Sequence, residues 1–231
     1  MVKEEFIRHS PVRVFEQSIK GALEPGEIGV IASPSGVGKT SVLVQIALDK
    51  LLQNRKVIHV SFTQHNDYVL AWYENIFEEF IKKQGLDCPI CVKDDLVKNR
   101  VLMHFNQSGM TGDQILRSLK AMIKDGGFQA ESLIIDGFDF SRARREDLAG
   151  VKAFAQELGL SVWYSCNAPE GSPPCAGGQT PAVLQPYLDL ATAIVVLEPK
   201  PDYIVLSVPK DREAVSGVSS LRLDPRTLLI Q

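Results

Sequence analysis

The sequence lacks the features that direct a chain to a membrane, an oxidising compartment or nucleic acid. No apolar run approaches the length of a membrane span, and the first residues, MVKEEFIRHS, lack the apolar centre of a secretion signal. The formal net charge is −3 and the pI is about 5.8, so no overall positive field attracts nucleic acid. We therefore expect a cytoplasmic protein without a membrane span, and only a local basic strip leaves nucleic acid open as a partner.

Cysteine is scarce, with four residues in a chain of 231. Cys88 and Cys91 form a single CPIC motif, while Cys166 and Cys175 lie far along the chain. A zinc site normally needs a second CxxC or an HxxxH, and neither is present. We favour thiols in a reducing compartment over half of a zinc site or a redox pair.

What the chain does contain is ordinary globular composition. Apolar residues make up 45% and charged residues 23%, which argues against disorder, and the length suits one domain. Pro11 interrupts any early helix, so we expect an N-terminal arm over residues 1–20, with a short helix around Val14 to Lys20. We expect a single α/β domain over residues 21–231.

The most informative stretch is IGVIASPSGVGKTS, from Ile28 to Ser41. Apolar, β-branched residues run into a loop of small residues and then into an apolar-periodic segment, which predicts a strand, a tight loop and a helix. Apart from Ser33 at its first position, the segment follows the pattern GxxxxGK[ST], in which backbone N–H groups and a helix N-terminus surround a polyphosphate. The expected nucleotide-binding residues are Ser33, Pro34, Ser35, Gly36, Val37, Gly38, Lys39, Thr40 and Ser41.

Three residues of this loop have distinct expected roles. Lys39 should reach the β- and γ-phosphates, and the Thr40 hydroxyl should complete the shell of a Mg²⁺ ion. Ser33 occupies the first glycine position, where we expect a serine to adopt the turn at some strain. An ordinary glycine-rich turn between strand and helix is the alternative.

A second strand, VIHVSF from Val57 to Phe62, is followed by a polar loop and a long helix. Asn66 or Asp67 can cap that helix, which should run to about Gln84. The loop, Thr63 to His65, follows the carboxyl end of a strand, where open α/β sheets bind ligands.

A buried aspartate marks a later strand. LIID, from Leu133 to Asp136, is an apolar strand that ends in a carboxylate, and burying a carboxylate is costly unless it serves a cation. We expect Asp136 to hold Mg²⁺ through water, on a strand adjoining that of Lys39.

Further elements follow from local patterns. We expect a surface connection from Leu86 to Arg100, a strand from Val101 to Phe105, and a helix that starts at a capping box of Thr111 and Gln114. The segment RARR, residues 142–145, precedes another helix. We interpret it as the solvent-exposed start of that helix, with a subunit or nucleic-acid contact as the minority interpretation. A strand from Ser161 to Cys166 ends beside candidate γ-phosphate sensors, and four strand segments should close the chain as an antiparallel extension. The candidate sensors are Ser165 and Asn167. The loop that follows, Ala168 to Pro181, is either a lid or a surface loop without a role. The closing strands are Ala193 to Leu197, Tyr203 to Val208, and Ser220 to Leu223 with Leu228 to Ile230.

Taken together, these segments resemble the RecA-like P-loop ATPases, most closely the KaiC/RadA/DnaB branch. The resemblance spans about Val14 to the C-terminus and rests on EPGEIGVIASPSGVGKTS, VIHVSF, LIID, LQPYLDLATAIVVLE and SVPKDR. It implies an ATP-binding, Mg²⁺-dependent fold with a mainly parallel sheet, helices on both faces and an antiparallel extension. It also implies hexamers or filaments with nucleotide between subunits, where Lys210 and Arg212 would reach the γ-phosphate of a neighbour.

The sequence departs from that family after the second strand. The family usually places a glutamate there to activate water, and this chain has Thr63 and Gln64. Glutamine can position water but cannot accept its proton, so we expect ATP binding with slow or absent hydrolysis unless Asp67 or another carboxylate substitutes. Lys39 and Gln64 are the catalytic candidates.

Nucleotide state would then control oligomerisation or a protein partner. The alternatives are a DNA-dependent recombinase or helicase motor, a fold that has lost its nucleotide, and, with least support, a small-molecule kinase. Acidic net charge argues against the motor, and the intact GKT with Asp136 argues against a lost ligand.

Overall fold

The computed structural model describes residues 2–85, 90–106, 110–168, 179–212 and 221–231. These residues form seven α-helices, together with a π-helical turn and a 3-10 helix, around eight strands. The strands are β1 Ile28–Ser33, β2 Val57–Ser61, β3 Arg100–His104, β4 Ser132–Phe138, β5 Ser161–Asn167, β6 Ala193–Pro199, β7 Ile204–Asp211 and β8 Arg222–Leu223. The helices are α1 Val2–Arg8, α2 Val12–Ser18, α3 Lys39–Leu52, α4 Asn66–Gln84, α5 Ile90–Lys98, α6 Gly112–Lys120, continued by the π-helical turn Ala121–Asp125, and α7 Arg145–Leu158, with the 3-10 helix at Ala182–Tyr187.

The strands form one sheet in the order β3-β2-β4-β5-β1-β6-β7-β8. The first six of these are parallel to their neighbours, and β7 and β8 extend the sheet in antiparallel fashion. Leu223 of β8 also bridges Ile230 near the C-terminus. The prediction of an α/β fold with a mainly parallel sheet and a C-terminal antiparallel extension is confirmed, except that β6, which was expected in the extension, is parallel to β1.

The sheet is covered on both faces because its central strands are apolar on both sides. In β1 all six residues are buried; Ile31 faces one core cluster, whereas Val30 and Ala32 face the other. The first cluster joins the sheet to helices α1 to α5, and the second joins it to α6, α7 and the 3-10 helix. This two-sided burial is how a parallel sheet satisfies its continuous hydrophobic runs.

The N-terminal residues pack against the same core as α3. Phe6, Val12 and Phe15 are at most 1% exposed, and the Phe15 ring lies 5.6 Å from that of Trp163 between centroids. The predicted helix of the arm is observed as α2, and α1 precedes it. Residues 2–18 therefore add helices to one face of the sheet.

Several local predictions need correction. The segment expected as a surface connection contains α5, whose Val92 and Leu96 are buried in the core. The residue that precedes the first turn of α4 is His65, and no side chain caps that helix; the Asn66 side chain instead donates to the Leu102 carbonyl. The capping box of Thr111 at the start of α6 is present as predicted. None of the helices formed by the described residues is long and apolar enough to cross a membrane.

Candidate nucleotide-binding site

The loop between β1 and α3 has left-handed backbone at two glycines. Gly36 has φ +78° and Gly38 has φ +114°, values that side-chain-bearing residues rarely adopt. At Gly38 an added Cβ atom would also lie 2.8 Å from Leu223 Cδ2, so the Leu223 side chain would have to shift. At Gly36 nothing lies within 4 Å of the added atom, and only the backbone conformation requires glycine.

Ser33 does not carry the strain that its position in the motif suggested. It is the last residue of β1, in extended backbone paired with Asn167, and it is 1% exposed. Its hydroxyl donates to the Pro34 carbonyl at 2.9 Å. The prediction of a strained serine is wrong because the loop turns at Gly36 and Gly38, after Ser33 has completed the strand.

Lys39 is a buried cation whose hydrogen bonds all go to neutral oxygens. Its Nζ donates to the carbonyl oxygens of Ser33 at 3.0 Å and Pro34 at 2.8 Å, and to the Ser33 hydroxyl at 3.2 Å. The residue is 6% exposed. Burial lowers the pKa of Lys39 to about 8, although the nearby charge of Asp136 opposes the shift. A cation held in this way at the start of a helix is suited to pairing with an anion.

Asp136 is joined to the start of α3 by a direct hydrogen bond. Thr40 Oγ1 donates to Asp136 Oδ2 at 2.8 Å, and Asp136 is 4% exposed. The expectation that the strands of Lys39 and Asp136 adjoin is wrong, because β5 lies between β1 and β4 in the sheet. The side chains nevertheless meet, since the parallel strands end at the same edge. A hydroxyl and a carboxylate in contact are oxygen ligands of the kind that Mg²⁺ prefers.

The intervening strand orients this carboxylate through Ser165. The Ser165 hydroxyl donates to Asp136 Oδ1 at 2.5 Å and accepts from the Gly137 N–H at 2.7 Å. The register of β4 shifts between Ile135 and Phe138, and Gly137 has φ +77°. Of the two candidate sensors, Ser165 is thus 2% exposed and bound to the carboxylate, whereas Asn167 is exposed at the end of β5 beside Ser33.

The C-terminal segment is bound to the first turns of α3. Ser41 Oγ donates to the Leu228 carbonyl at 2.6 Å, and Gln45 Nε2 donates to the same oxygen at 2.9 Å. Gln45 Oε1 accepts from the Ile230 N–H at 2.9 Å, while Leu223 packs on Gly38. The Ser41 hydroxyl is therefore directed at the chain terminus. No pattern in the sequence announces this contact, which joins residues 187 positions apart.

The loop after β2 contains no carboxylate before Asp67, as the sequence indicates. The Thr63 side chain packs on Gly137, where an added Cβ would lie 2.5 Å from Thr63 Oγ1. The Gln64 N–H donates to Ser61 Oγ at 3.0 Å, and Gln64 Oε1 is buried without a hydrogen-bond partner. His65 stacks on His104 with 4.7 Å between ring centroids. Asp67 is exposed in the first turn of α4.

Lys210 and Arg212 lie at the opposite edge of the sheet. Asp211, between them, pairs with Ala193 at the first residue of β6, whereas the loop with Lys39 follows the carboxyl end of β1. Arg212 donates to the carbonyls of Ile19 at 2.8 Å and Ala22 at 3.3 Å. This pair therefore lies away from the loop with Lys39 of its own chain.

The arginines of the RARR segment differ in their partners. Arg145 pairs with Asp189 and Arg144 with Asp147, while Arg142 lies 3.7 Å from Asp139. The CPIC motif and most of the predicted lid, residues 169–178, lie outside the described side chains. Within the described part of the chain, no group of three or more His, Cys, Asp or Glu side chains could hold a metal ion.

A scan against protein-family models found no match to this chain, and a search of curated proteins found none either.

Proposed function

We propose that this chain is a RecA-like P-loop protein that binds Mg-ATP, hydrolyses it slowly, and uses the nucleotide to control its own assembly or a partner. The observation that carries the proposal is the 2.8 Å hydrogen bond between Thr40 and Asp136, formed beside a buried lysine. Thr40 belongs to the glycine-rich loop motif and Asp136 to the LIID strand, 96 positions later in the chain. The two side chains meet at the carboxyl edge of a parallel sheet, where α/β folds bind ligands.

The residues present fit a magnesium-bound triphosphate. The left-handed glycines would let backbone N–H groups approach the phosphates, and Lys39 supplies a cation that is hydrogen-bonded to no carboxylate among the described residues. Thr40 and Asp136 would hold the metal directly and through water. When bound, Mg-ATP would supply an activated phosphoryl group, and the chain would supply its position and charge compensation.

Slow hydrolysis follows from the side chains after β2. Gln64 can orient water but has no basic group, and Thr63 is committed to the contact with Gly137. The eight-stranded sheet, with its antiparallel extension, supports the RecA-like assignment. Assembly rests on the family resemblance: Lys210 and Arg212 lie at the sheet edge opposite the loop with Lys39, so a contact of this pair with nucleotide would involve a neighbouring copy.

The direct test is thermal denaturation and calorimetry with Mg-ATP. Wild-type protein should be stabilised by about 2.7 kcal/mol when ATP is at 100 times its dissociation constant. Lys39→Ala and Asp136→Ala should lose most of this shift. Lys124→Ala, which removes an exposed lysine paired with Glu157, should keep it. No heat and no thermal shift at millimolar Mg-ATP would refute the proposal.

Two further measurements test turnover and assembly. Phosphate release by purified protein should be far slower than that of a motor ATPase, and a motor-like rate would refute the role assigned to the loop after β2. Native mass should increase when Mg-ATP is added, and Arg212→Ala should reduce that increase. An unchanged mass in protein that binds Mg-ATP would refute control of self-assembly.

A further inference from the structure

A cavity of about 500 Å³ opens at the carboxyl ends of β2 and β4, beside the candidate nucleotide site. It lies between the first residues of α6 and those of α7, and we call it the α6–α7 pocket. Its volume is within the range of small-molecule sites. The lining residues are Phe62, Thr63, Asn106, Met110, Thr111, Gly112, Ile115, Gly137, Phe138, Asp139, Arg142, Ala143, Arg144 and Asp147.

The inner surface of the α6–α7 pocket is apolar and partly aromatic. Phe62 and Phe138 meet edge to face with 5.7 Å between ring centroids, and Met110 and Ile115 complete the surface. All four side chains are half-buried. A flat apolar group can gain from burial against such rings, because aromatic pairs favour edge-to-face contact and bury large areas.

The charged side chains that line the pocket are those of Asp139, Asp147, Arg142 and Arg144. Both carboxylates already accept hydrogen bonds: Asp139 accepts from the Ser141 N–H at 3.0 Å, and Asp147 accepts from Arg144 at 2.9 Å. Among the described residues, the guanidinium of Arg142 pairs with Asp139 at 3.7 Å, a distance longer than a hydrogen bond, and the Arg142 side chain is 74% exposed. Its planar set of N–H donors matches a carboxylate, sulfonate or phosphate.

The start of each flanking helix favours the same charge. Helices α6 and α7, of nine and 14 residues, both begin at this pocket, with Thr111 and Arg144 as their capping residues. The positive ends of two helix dipoles therefore point toward one cavity. The positive potential of the two helix starts adds to the charge of Arg142, and it does not by itself define a binding site.

We propose that the α6–α7 pocket binds a small organic anion with a flat apolar body, whose acidic group pairs with Arg142 while its body packs on Phe62 and Phe138. The binding itself does not depend on a nucleotide. An anion is favoured over a cation because two helices begin at the pocket and the Arg142 guanidinium, although paired with Asp139 at 3.7 Å, is on a side chain that is 74% exposed and accessible to a ligand.

The pocket is one residue away from the carboxylate assigned to the metal. Gly137 lines the pocket directly after Asp136, its N–H is held by Ser165, and Thr63 packs on it. A ligand that moves Phe138 or Thr63 would thereby move the carboxylate. We expect Mg-ATP and the organic anion to change the affinity of each other by about fivefold or more. This coupling rests on the proposed function.

The test uses the fluorescent probe 1-anilinonaphthalene-8-sulfonate, which joins an aromatic body to one anionic group. Folded protein without nucleotide should bind one probe per chain, and Arg142→Gln should weaken binding about tenfold, the value of one charge-assisted hydrogen bond. Arg117→Gln removes an exposed arginine of α6 outside the pocket and should leave binding unchanged. Ala143→Phe, which fills the pocket, should abolish it.

Competition distinguishes the anionic group from the apolar body. Phenyl phosphate should displace the probe, and benzyl alcohol at the same concentration should not. Equal affinity in Arg142→Gln, or several probes per chain, would overturn the proposal. Displacement by a single-stranded oligonucleotide with the same dependence on Arg142 would also overturn it, in favour of a nucleic-acid surface.

A separate arm addresses the coupling. It is carried out after Mg-ATP binding has been established by a thermal shift that Lys39→Ala abolishes. Unchanged probe affinity at saturating Mg-ATP would refute the coupling. Absence of that thermal shift would refute the proposed function, and the nucleotide-free titration would still decide the pocket.

Discussion

Replacing Lys39 by methionine should stabilise the protein in the absence of nucleotide while abolishing Mg-ATP binding. Methionine keeps an unbranched side chain of similar length but removes the buried ammonium. In the folded protein that ammonium is 6% exposed and bonded to the carbonyls of Ser33 and Pro34. If the charge serves a ligand, as proposed, we expect it to reduce the stability of the ligand-free protein, as is common at binding sites.

The magnitude follows from the protonation equilibrium. Burial lowers the pKa of Lys39 from 10.5 to about 8. At about 1.4 kcal/mol per pKa unit, the charged lysine costs on the order of 3 kcal/mol at pH 7 relative to the unfolded chain. Loss of the hydrogen bonds to Ser33 and Pro34 offsets part of the gain, so we expect a net stabilisation of about 1–3 kcal/mol. For a chain of this size each kcal/mol raises the Tm by about 2–4 °C.

The direction of the Lys39 pKa shift also predicts how stability depends on pH. Because the folded pKa lies below the unfolded one, the unfolded chain binds more protons between about pH 8 and 10.5, and this group makes the wild type more stable as pH rises through that range. Lys39→Met should lack the contribution. Urea denaturation at pH 7 and pH 10, with Lys124→Met as the surface control, measures both effects. A methionine variant less stable than wild type at pH 7 by more than about 1 kcal/mol would refute the reasoning.

Three further predictions follow from buried polar groups. Burial lowers the pKa of His59 from 6.5 to about 4, so stability should fall by up to about 3 kcal/mol as pH drops from 6.5 to 4, and urea denaturation of His59→Gln should show a flatter profile. Gln45→Leu leaves the N–H of Ile230 without its acceptor and should cost about 2–3 kcal/mol in the same assay. Ser165→Ala removes the hydrogen bond that orients Asp136 and should weaken Mg-ATP binding by about fivefold to tenfold, measured by calorimetry.

Each of these has a control and a contrary result. A His59→Gln profile as steep as that of wild type would contradict the assignment to His59. Gln84→Ala, at the last residue of α4, should cost under about 0.5 kcal/mol, and an equal cost at Gln45 would contradict the C-terminal contact. Ser165→Thr should restore Mg-ATP affinity, and ATP binding in EDTA should respond less to Ser165→Ala; an equal loss in both would contradict a role through the metal.

The elements that the sequence predicted well are those encoded by short-range patterns. β1 and α3 flank a glycine-rich loop, and the capping box at Thr111 needs only residues three positions apart. The apolar runs of β2 and β4 were placed to within one or two residues. Each of these signals depends on neighbours in the chain, so the sequence alone carries it.

Other elements could not be predicted because their reasons are distant in the chain. α5 is stabilised by packing of Val92 and Leu96 into the core, whereas the turn residues Pro89 and Asn99 beside it favoured a surface connection. His65 precedes α4 where Asn66 was expected to cap it, since the Asn66 side chain finds an acceptor on β3. Tertiary packing overrode the local preference in both cases.

The sequence by itself determined the chemistry of the candidate site: the glycines of the loop, Lys39 and Thr40 at the start of α3, and an aspartate at the end of an apolar strand. Only the tertiary structure decided that β5 separates the two strands, that Ser165 orients Asp136, and that Leu228 is bound to the first turn of α3. The physical reason is the distance along the chain between the residues that interact. Backbone conformation and helix starts depend on adjacent residues, whereas strand order and buried hydrogen bonds depend on contacts between residues far apart in the chain.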